Sequence, residues 1–245
     1  MCARYTLTAD AAALERRFRV PAPAGHKPRY NLAPGQDAPV LTVEEGSRRL
    51  LPLRWGLVPS WAKEKAPRAA PAAGLSAGGA ARKVHGPRAA IINARAETLA
   101  SKPSFQGPLA GRRCLVPADG FYEWKKGSER RPPVRFTLED GLFAFAGLWD
   151  LHRADDGSER RGFTLITVAA NPLLAPLHER MPAILAPGEE ELWLAPGRET
   201  PSLLALLKPY PAERMRSAEA SRRVNTTGWD APDCLTPDDP EPELF

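Results

Sequence analysis

Arg113-Cys114-Leu115-Val116-Pro117-Ala118-Asp119-Gly120-Phe121-Tyr122-Glu123-Trp124-Lys125 is read as strand, turn, strand. The apolar run Cys114 to Val116 suits a buried strand, and Asp119-Gly120 breaks it. Phe121 to Trp124 is aromatic-rich and returns to extended structure. Outward from this stretch the same grammar repeats. Val134 to Leu138, Leu142 to Leu148 and Phe163 to Val168 are three further strand candidates. Asp140-Gly141 is a hairpin signal, and His152 to Gly162 is a polar loop. Upstream, Val40 to Val43 and Arg49 to Trp55 form a hairpin around Glu45-Gly46-Ser47. Helical patterns are short. Thr8 to Phe18 has Thr8 as N-cap, with Leu14 and Phe18 four apart on one face. Pro172 opens a short helix at its favoured first position, and Ala94 to Ala100 has helix-forming composition. Glu189 to Leu194 and Ser202 to Leu207 are surface helices, and Arg222 to Asn225 is a final strand. The expected fold is α+β: one domain over residues 1–229, with a curved, mainly antiparallel sheet or partial barrel and short flanking helices.

Composition supports that class. The 245 residues are 43% apolar, enough for a sizeable core, while 27 Pro and 19 Gly argue against an all-helical chain. No apolar run is long enough to span a bilayer. Charges through the first twenty residues rule out a signal-peptide core. Three Cys without a CxxC pair indicate neither a disulfide framework nor a Cys-rich zinc site, so a reducing, cytoplasmic setting is expected.

Two segments stand apart. Residues 62–90 are Ala, Gly, Pro and basic residues, six of them (Lys63, Lys65, Arg68, Arg82, Lys83, Arg88) against the single acid Glu64. Such a stretch cannot bury a core and is expected to be a disordered basic insertion, either inert or adding phosphate contacts. Residues 230–245 carry six acids and no base, and are expected to form a flexible acidic tail; without them the net charge of +5 becomes +11. A body that basic fits a polyanion, nucleic acid first, although an Arg-rich composition alone would also give a solvated basic surface.

The chemistry begins at Met1-Cys2. Aminopeptidases remove Met before a small residue, and the chain then starts at Cys2. An N-terminal Cys carries a thiol and an α-amine within one residue. The amine condenses with an aldehyde to a Schiff base, and the thiol closes a thiazolidine ring; no internal residue does this. On two residues alone, Met-Cys is more often an accident of the start site. Further candidates reinforce it. Glu123, between two aromatics, is placed to have a raised pKa, or else is an ordinary strand position. His178, in the charged turn Leu177 to Pro182, suits proton transfer near neutrality, where a lone His is more often structural. Asn93 and Arg95 share a face if extended. Trp55 and Trp61 are either core or a stacking platform for bases.

Together these residues resemble the SRAP-domain family, the SOS response-associated peptidases or abasic-site processing proteins. The resemblance rests on Cys2 and Arg4, Tyr30 to Gln36, Trp55 to Trp61, Asn93 to Thr98, Arg113 to Trp124 and His178 to Pro182, in that order. It runs from Cys2 to about Asn225. It implies binding of single-stranded DNA at an abasic site and a covalent thiazolidine crosslink through Cys2. It also implies autoproteolytic release of Met1 and lyase or crosslink-reversal activity. By matched position Asn93 orients the sugar or the Cys2 amine, Glu123 assists Schiff-base proton transfer, and His178 handles the sugar ring oxygen. Arg4, Arg95 and Arg180 hold phosphates, Pro34 and Trp61 wedge against or stack on bases, and Thr167 lines the pocket. The resemblance implies a monomer, nucleoid-associated in a bacterium, with no cofactor, no metal and no membrane partner. Ala3 stands where the family usually has Gly, a strain of about 1 kcal/mol if that backbone needs positive φ. The rival class is an N-terminal-nucleophile amidohydrolase, whose thiol attacks an amide with the α-amine as base. A noncatalytic single-strand binding module leaves Cys2 and Glu123 without roles.

Overall fold

The computed structural model describes residues 2–62, 90–124, 132–154 and 156–238. The basic insertion expected at 62–90 therefore falls, apart from its two end residues, outside the described residues. In chain order the strands are β1 (Tyr5–Leu7), β2 (Arg29–Leu32), β3 (Asp37–Glu44), β4 (Ser47–Trp55), β5 (Asn93–Arg95), β6 (Arg113–Ala118) and β7 (Gly120–Glu123). They continue as β8 (Val134–Leu138), β9 (Phe143–Arg153), β10 (Glu159–Ala169), β11 (Arg180–Pro182), β12 (Ile184–Leu185) and β13 (Met215–Glu219). The helices are α1 (Ala11–Phe18), α2 (Pro103–Gly111), α3 (Pro187–Leu194) and α4 (Thr200–Leu204).

The α+β expectation holds. Strands β4, β3, β6, β9 and β10 pair in a ring that closes where β10 joins both β9 and β4, with β11, β12 and β5 attached outside it. A second sheet runs β13-β8-β7-β1-β2. All pairings are antiparallel except those of β10 with β4 and with β5. Closing the sheet removes edge strands. An aromatic core lies between ring and sheet: Tyr5 packs edge-on against Trp55 at 5.2 Å and Phe145 at 5.8 Å, and Phe121 stacks on Phe136 at 5.3 Å.

Several local expectations are corrected. The stretch from Arg113 is strand, turn, strand as read, but β6 pairs in the ring and β7 in the second sheet, so Asp119 marks a corner between them. Asp140-Gly141 likewise makes a turn, with Gly141 at φ 75, but carries the chain from β8 to β9 in the other sheet. The Glu45-Gly46 hairpin does form, both residues having positive φ. Helix α1 is capped by Asp10, whose carboxylate accepts from the Ala13 N–H at 2.7 Å, and not by Thr8. Its Leu14 and Phe18 are buried as their spacing predicts. Most of the polar loop after His152 is strand, since β9 and β10 pair out to Arg153 and Glu159. Pro172 opens a string of turns, Asn93 to Arg95 is a strand before a short 3-10 turn, and Arg222–Asn225 is a 3-10 turn.

The acidic tail differs too. Asp230, Asp233 and Asp238 pair with Arg29, Arg223 and Arg222, and Pro232–Leu235 is a 3-10 turn with Cys234 buried. Residues 230–238 are therefore tied to the body, because each acid finds a cation or backbone N–H remote from the tail's own like-charged run. No helix among the described residues is long and apolar enough to cross a membrane.

Candidate active site

The corner at Asp119 holds the N-terminal segment in place. Its carboxylate accepts from Thr6 Oγ1 at 2.6 Å, Thr8 Oγ1 at 2.7 Å, the Ala9 N–H at 3.1 Å and the Thr8 N–H. Arg135 bonds it at 3.3 Å. A Cβ at Gly120 would lie 2.6 Å from Arg135 Nε, so a larger residue there would push the guanidinium away from Asp119. With residues 6–9 latched and β1 paired to β7 through Tyr5↔Phe121, the chain start is carried along the second sheet to Glu123. The sequence showed Asp119 only as a turn residue; its partners at residues 6–9 lie more than 100 residues away.

Cys2 is buried, and its Sγ approaches the Arg4 carbonyl at 3.5 Å. Asn93, at the start of β5, donates from Nδ2 to the Cys2 carbonyl at 2.8 Å. The other amide atom, Asn93 Oδ1, is buried with no hydrogen-bond partner among the described residues. Glu123 ends β7 with 3% exposure, since all four residues of that strand are covered on both faces. Burial pushes its carboxyl up to about 7, the positive chain terminus offsetting part of the rise. The same burial, with the Glu123 charge adding to it, pushes the Cys2 thiol far above its ordinary value. Ala3 is not among the positive-φ residues, so its Cβ is accommodated without strain.

Arg180, with His178 two residues before it, is linked to the strand of Asn93 through β10. The C-terminal part of β10 pairs with β5 on one side, Thr167 opposite Arg95, and with β11 on the other, Thr167 opposite Pro182. Thr167 is buried with Oγ1 bonded to the Ala94 carbonyl at 3.3 Å, so its hydroxyl holds the strands together. His178 Nδ1 is held against the Arg180 backbone, 2.9 Å from its N–H and 3.2 Å from its carbonyl, which fixes the orientation of the ring. Arg180's guanidinium is engaged: it meets both Glu97 oxygens at 2.6 and 2.9 Å and the Thr167 carbonyl at 2.5 Å. Arg95 is exposed, and Arg4 donates to the Ala3 carbonyl at 2.8 Å. Trp61 is 65% exposed, available for stacking, whereas Trp55 is core. Pro34 leads a turn in which Gly35 takes φ 82 and the Gln36 N–H reaches the Ala33 carbonyl at 3.2 Å.

The profile of the SOS response associated peptidase (SRAP) family matches residues 1–227. The chain belongs to the SRAP family. Similar proteins include abasic site processing protein YoqW of Bacillus subtilis, 36% identical over 241 residues spanning 96% of this chain and 99% of the relative. Abasic site processing protein HMCES of Gallus gallus is 33% identical over 242 residues, 86% of this chain and 67% of that one. Among solved structures, a Bacteroides thetaiotaomicron protein superposes with a TM-score of 0.78 at 24% identity, covering 97% of this chain and all of that one. A Bordetella bronchiseptica protein does so at 0.71 and 26%, covering 90% of this chain and all of that one. In this SRAP chain, Cys2, Asn93 and Glu123 form the inner group, and Thr167 connects their strands to the segment bearing His178 and Arg180.

Proposed function

We propose that this protein, once its chain begins at Cys2, captures abasic sites in single-stranded DNA as a covalent thiazolidine. The carrying observation is the buried Cys2 with its carbonyl on Asn93 and its thiol beside a carboxyl titrating near neutrality. Membership in a family whose relatives are named abasic site processing proteins supplies the substrate class.

The chemistry follows from those groups. His178 donates a proton to the ring oxygen of the closed deoxyribose while the C1′ hydroxyl gives up its own to solvent, which releases the C1′ aldehyde. The Cys2 amine adds to C1′. Glu123, divided between acid and base near pH 7, protonates the carbinolamine hydroxyl, which leaves as water. The thiol then adds to the imine carbon while its proton passes to the nitrogen. One aldehyde and one aminothiol yield one thiazolidine and one water. Asn93 Oδ1 is an open acceptor for the amine or a sugar hydroxyl. Arg95 and Arg4 supply phosphate contacts, Arg180 does so once Glu97 yields, and Trp61 and Pro34 bracket the bases. Hydrolysis of the Met1–Cys2 bond, with Glu123 and His178 handling protons, would expose the amine in the same site, and the reverse of capture would give lyase or release activity. An amidohydrolase would use the α-amine as its base and leave Glu123 and His178 without roles, which separates the two readings.

Intact-mass spectrometry with a single-stranded oligonucleotide carrying one abasic site tests the proposal. An adduct stable without borohydride, absent in Cys2→Ala, is expected. A chain verified to begin at Cys2 that forms no adduct overturns it, and glutamine hydrolysis would then point to the amidohydrolase.

A further inference from the structure

The Arg180–Glu97 pair is out of place for a residue expected to hold DNA phosphate. Arg180 starts β11, reaches across β10 with a bond to the Thr167 carbonyl, and ends in a two-pronged contact with Glu97 beyond β5. The exposures are unequal: the Arg180 side chain is 12% exposed and that of Glu97 57%. The arginine is fixed under the carboxylate, while the carboxylate sits at the surface on the short 3-10 turn Ala96–Thr98. Glu97 also feels the positive charge of Arg95, two residues before it and on the same rim, so two cations converge on one acid. Arg180 Nε is buried with no hydrogen-bond partner among the described residues, leaving a donor unused. A planar carboxylate on a guanidinium fork has the charge and geometry of a phosphodiester in the same place.

We propose that Glu97 is an internal stand-in for DNA phosphate, which a phosphodiester of the bound strand displaces from Arg180 and Arg95. The proposal rests on the single-strand reading above and deepens it. Displacement sets the cost of binding. An incoming phosphate gains two cations but must release an ion pair, so undamaged single strands are held weakly. Tight binding of every strand would trap the protein away from its lesion, since equal affinity for damaged and undamaged DNA does not favour the reaction. With Glu97 in place, retention falls to the covalent step at Cys2. Glu97→Gln keeps the size and one acceptor oxygen but removes the competing charge.

The test measures affinity for an undamaged single-stranded oligonucleotide across salt concentration, with full-length wild type, Glu97→Gln and the double variant Glu97→Gln/Arg180→Gln. Thermal melting verifies that each is folded. Glu97→Gln is expected to bind about three- to tenfold more tightly at low salt. Its log–log salt slope should steepen by about one phosphate contact. The double variant should lose that gain. Wild type that binds while Glu97→Gln binds equally or more weakly overturns the stand-in, makes the pair purely structural, and leaves the single-strand reading intact. Failure of both proteins to bind overturns the single-strand reading and the stand-in with it.

Discussion

A carboxyl with an ordinary value of 4.5 that titrates near 7 is a cost the fold bears above neutrality. Glu123 is protonated in both folded and unfolded chains below about pH 4.5. As pH rises the unfolded chain ionises first, so the stability tied to its proton is lost between about 4.5 and 7 and stays lost beyond. The shift corresponds to a penalty of up to about 3 kcal/mol at pH 8. Glu123→Gln, which cannot ionise, is therefore expected to match wild type at pH 4.5 and to exceed it at pH 8, while losing capture activity. Urea unfolding at the two pH values decides it; an equal gap at both would show that Glu123 is not held protonated by the fold. At this scale the sequence offered candidates: Cys2, Glu123 and His178 by chemical type and Asn93 by matched position, and the aromatics beside Glu123 hinted at the burial it shows. Glu97 was not legible: its importance lies in an arginine 83 positions away.

Elements were less legible than residues, because pairing partners were not. Asp119-Gly120 has the composition of a hairpin turn, yet it is a corner between two sheets, and nothing local distinguishes the two. β1 is three residues long, and β13 is a mostly exposed, polar strand at the margin of its sheet, so neither shows the alternation that marks a half-buried strand. Thr8 looked like a helix cap because the residue that uses it, Asp119, lies 111 positions on. The corner also makes a prediction. Asp119 accepts four bonds from residues 6–9 and faces Arg135, with 13% of its side chain exposed. Asp119→Ala strands two backbone N–H groups and a guanidinium, which should cost about 2–4 kcal/mol in denaturant unfolding. It should also free the N-terminal segment, so that Cys2 is alkylated faster by iodoacetamide under native conditions. Unchanged labelling of Cys2, resolved by peptide mass from Cys114 and Cys234, would mean that β1 pairing alone seats the thiol.

On the scale of the molecule, the described part of the acidic tail is fastened to the body at residues 29–31 and 222–223. Asp230 pairs with Arg29 and accepts from the Tyr30 and Asn31 N–H groups. Asn31 Nδ2 in turn donates to the carbonyls of Val224, Thr226 and Trp229 at 3.2, 3.1 and 2.8 Å. This belt bonds to both neighbours of Glu123: Tyr122 through its hydroxyl to the Tyr30 carbonyl at 2.9 Å, and Trp124 through Nε1 to Asn225 at 2.7 Å. A run of acids looks solvated in sequence because its partners at residues 29, 222 and 223 are invisible to any local window. Tyr122 and Trp124, which bracket Glu123, are thus held by this belt. Asp230→Ala removes the acceptor shared by two N–H groups and leaves Arg29 without its ion pair, and should lower unfolding stability by about 2–3 kcal/mol. A looser belt admits water to Glu123. Hydration favours the carboxylate, so its titration moves down from near 7 toward the ordinary range. The pH at which crosslinking to an abasic oligonucleotide reaches half its maximum should then shift to lower values in Asp230→Ala, measured on protein verified as folded. Lost stability with an unmoved midpoint would show that the ring and second sheet alone keep Glu123 dry, and that the belt only fastens the chain.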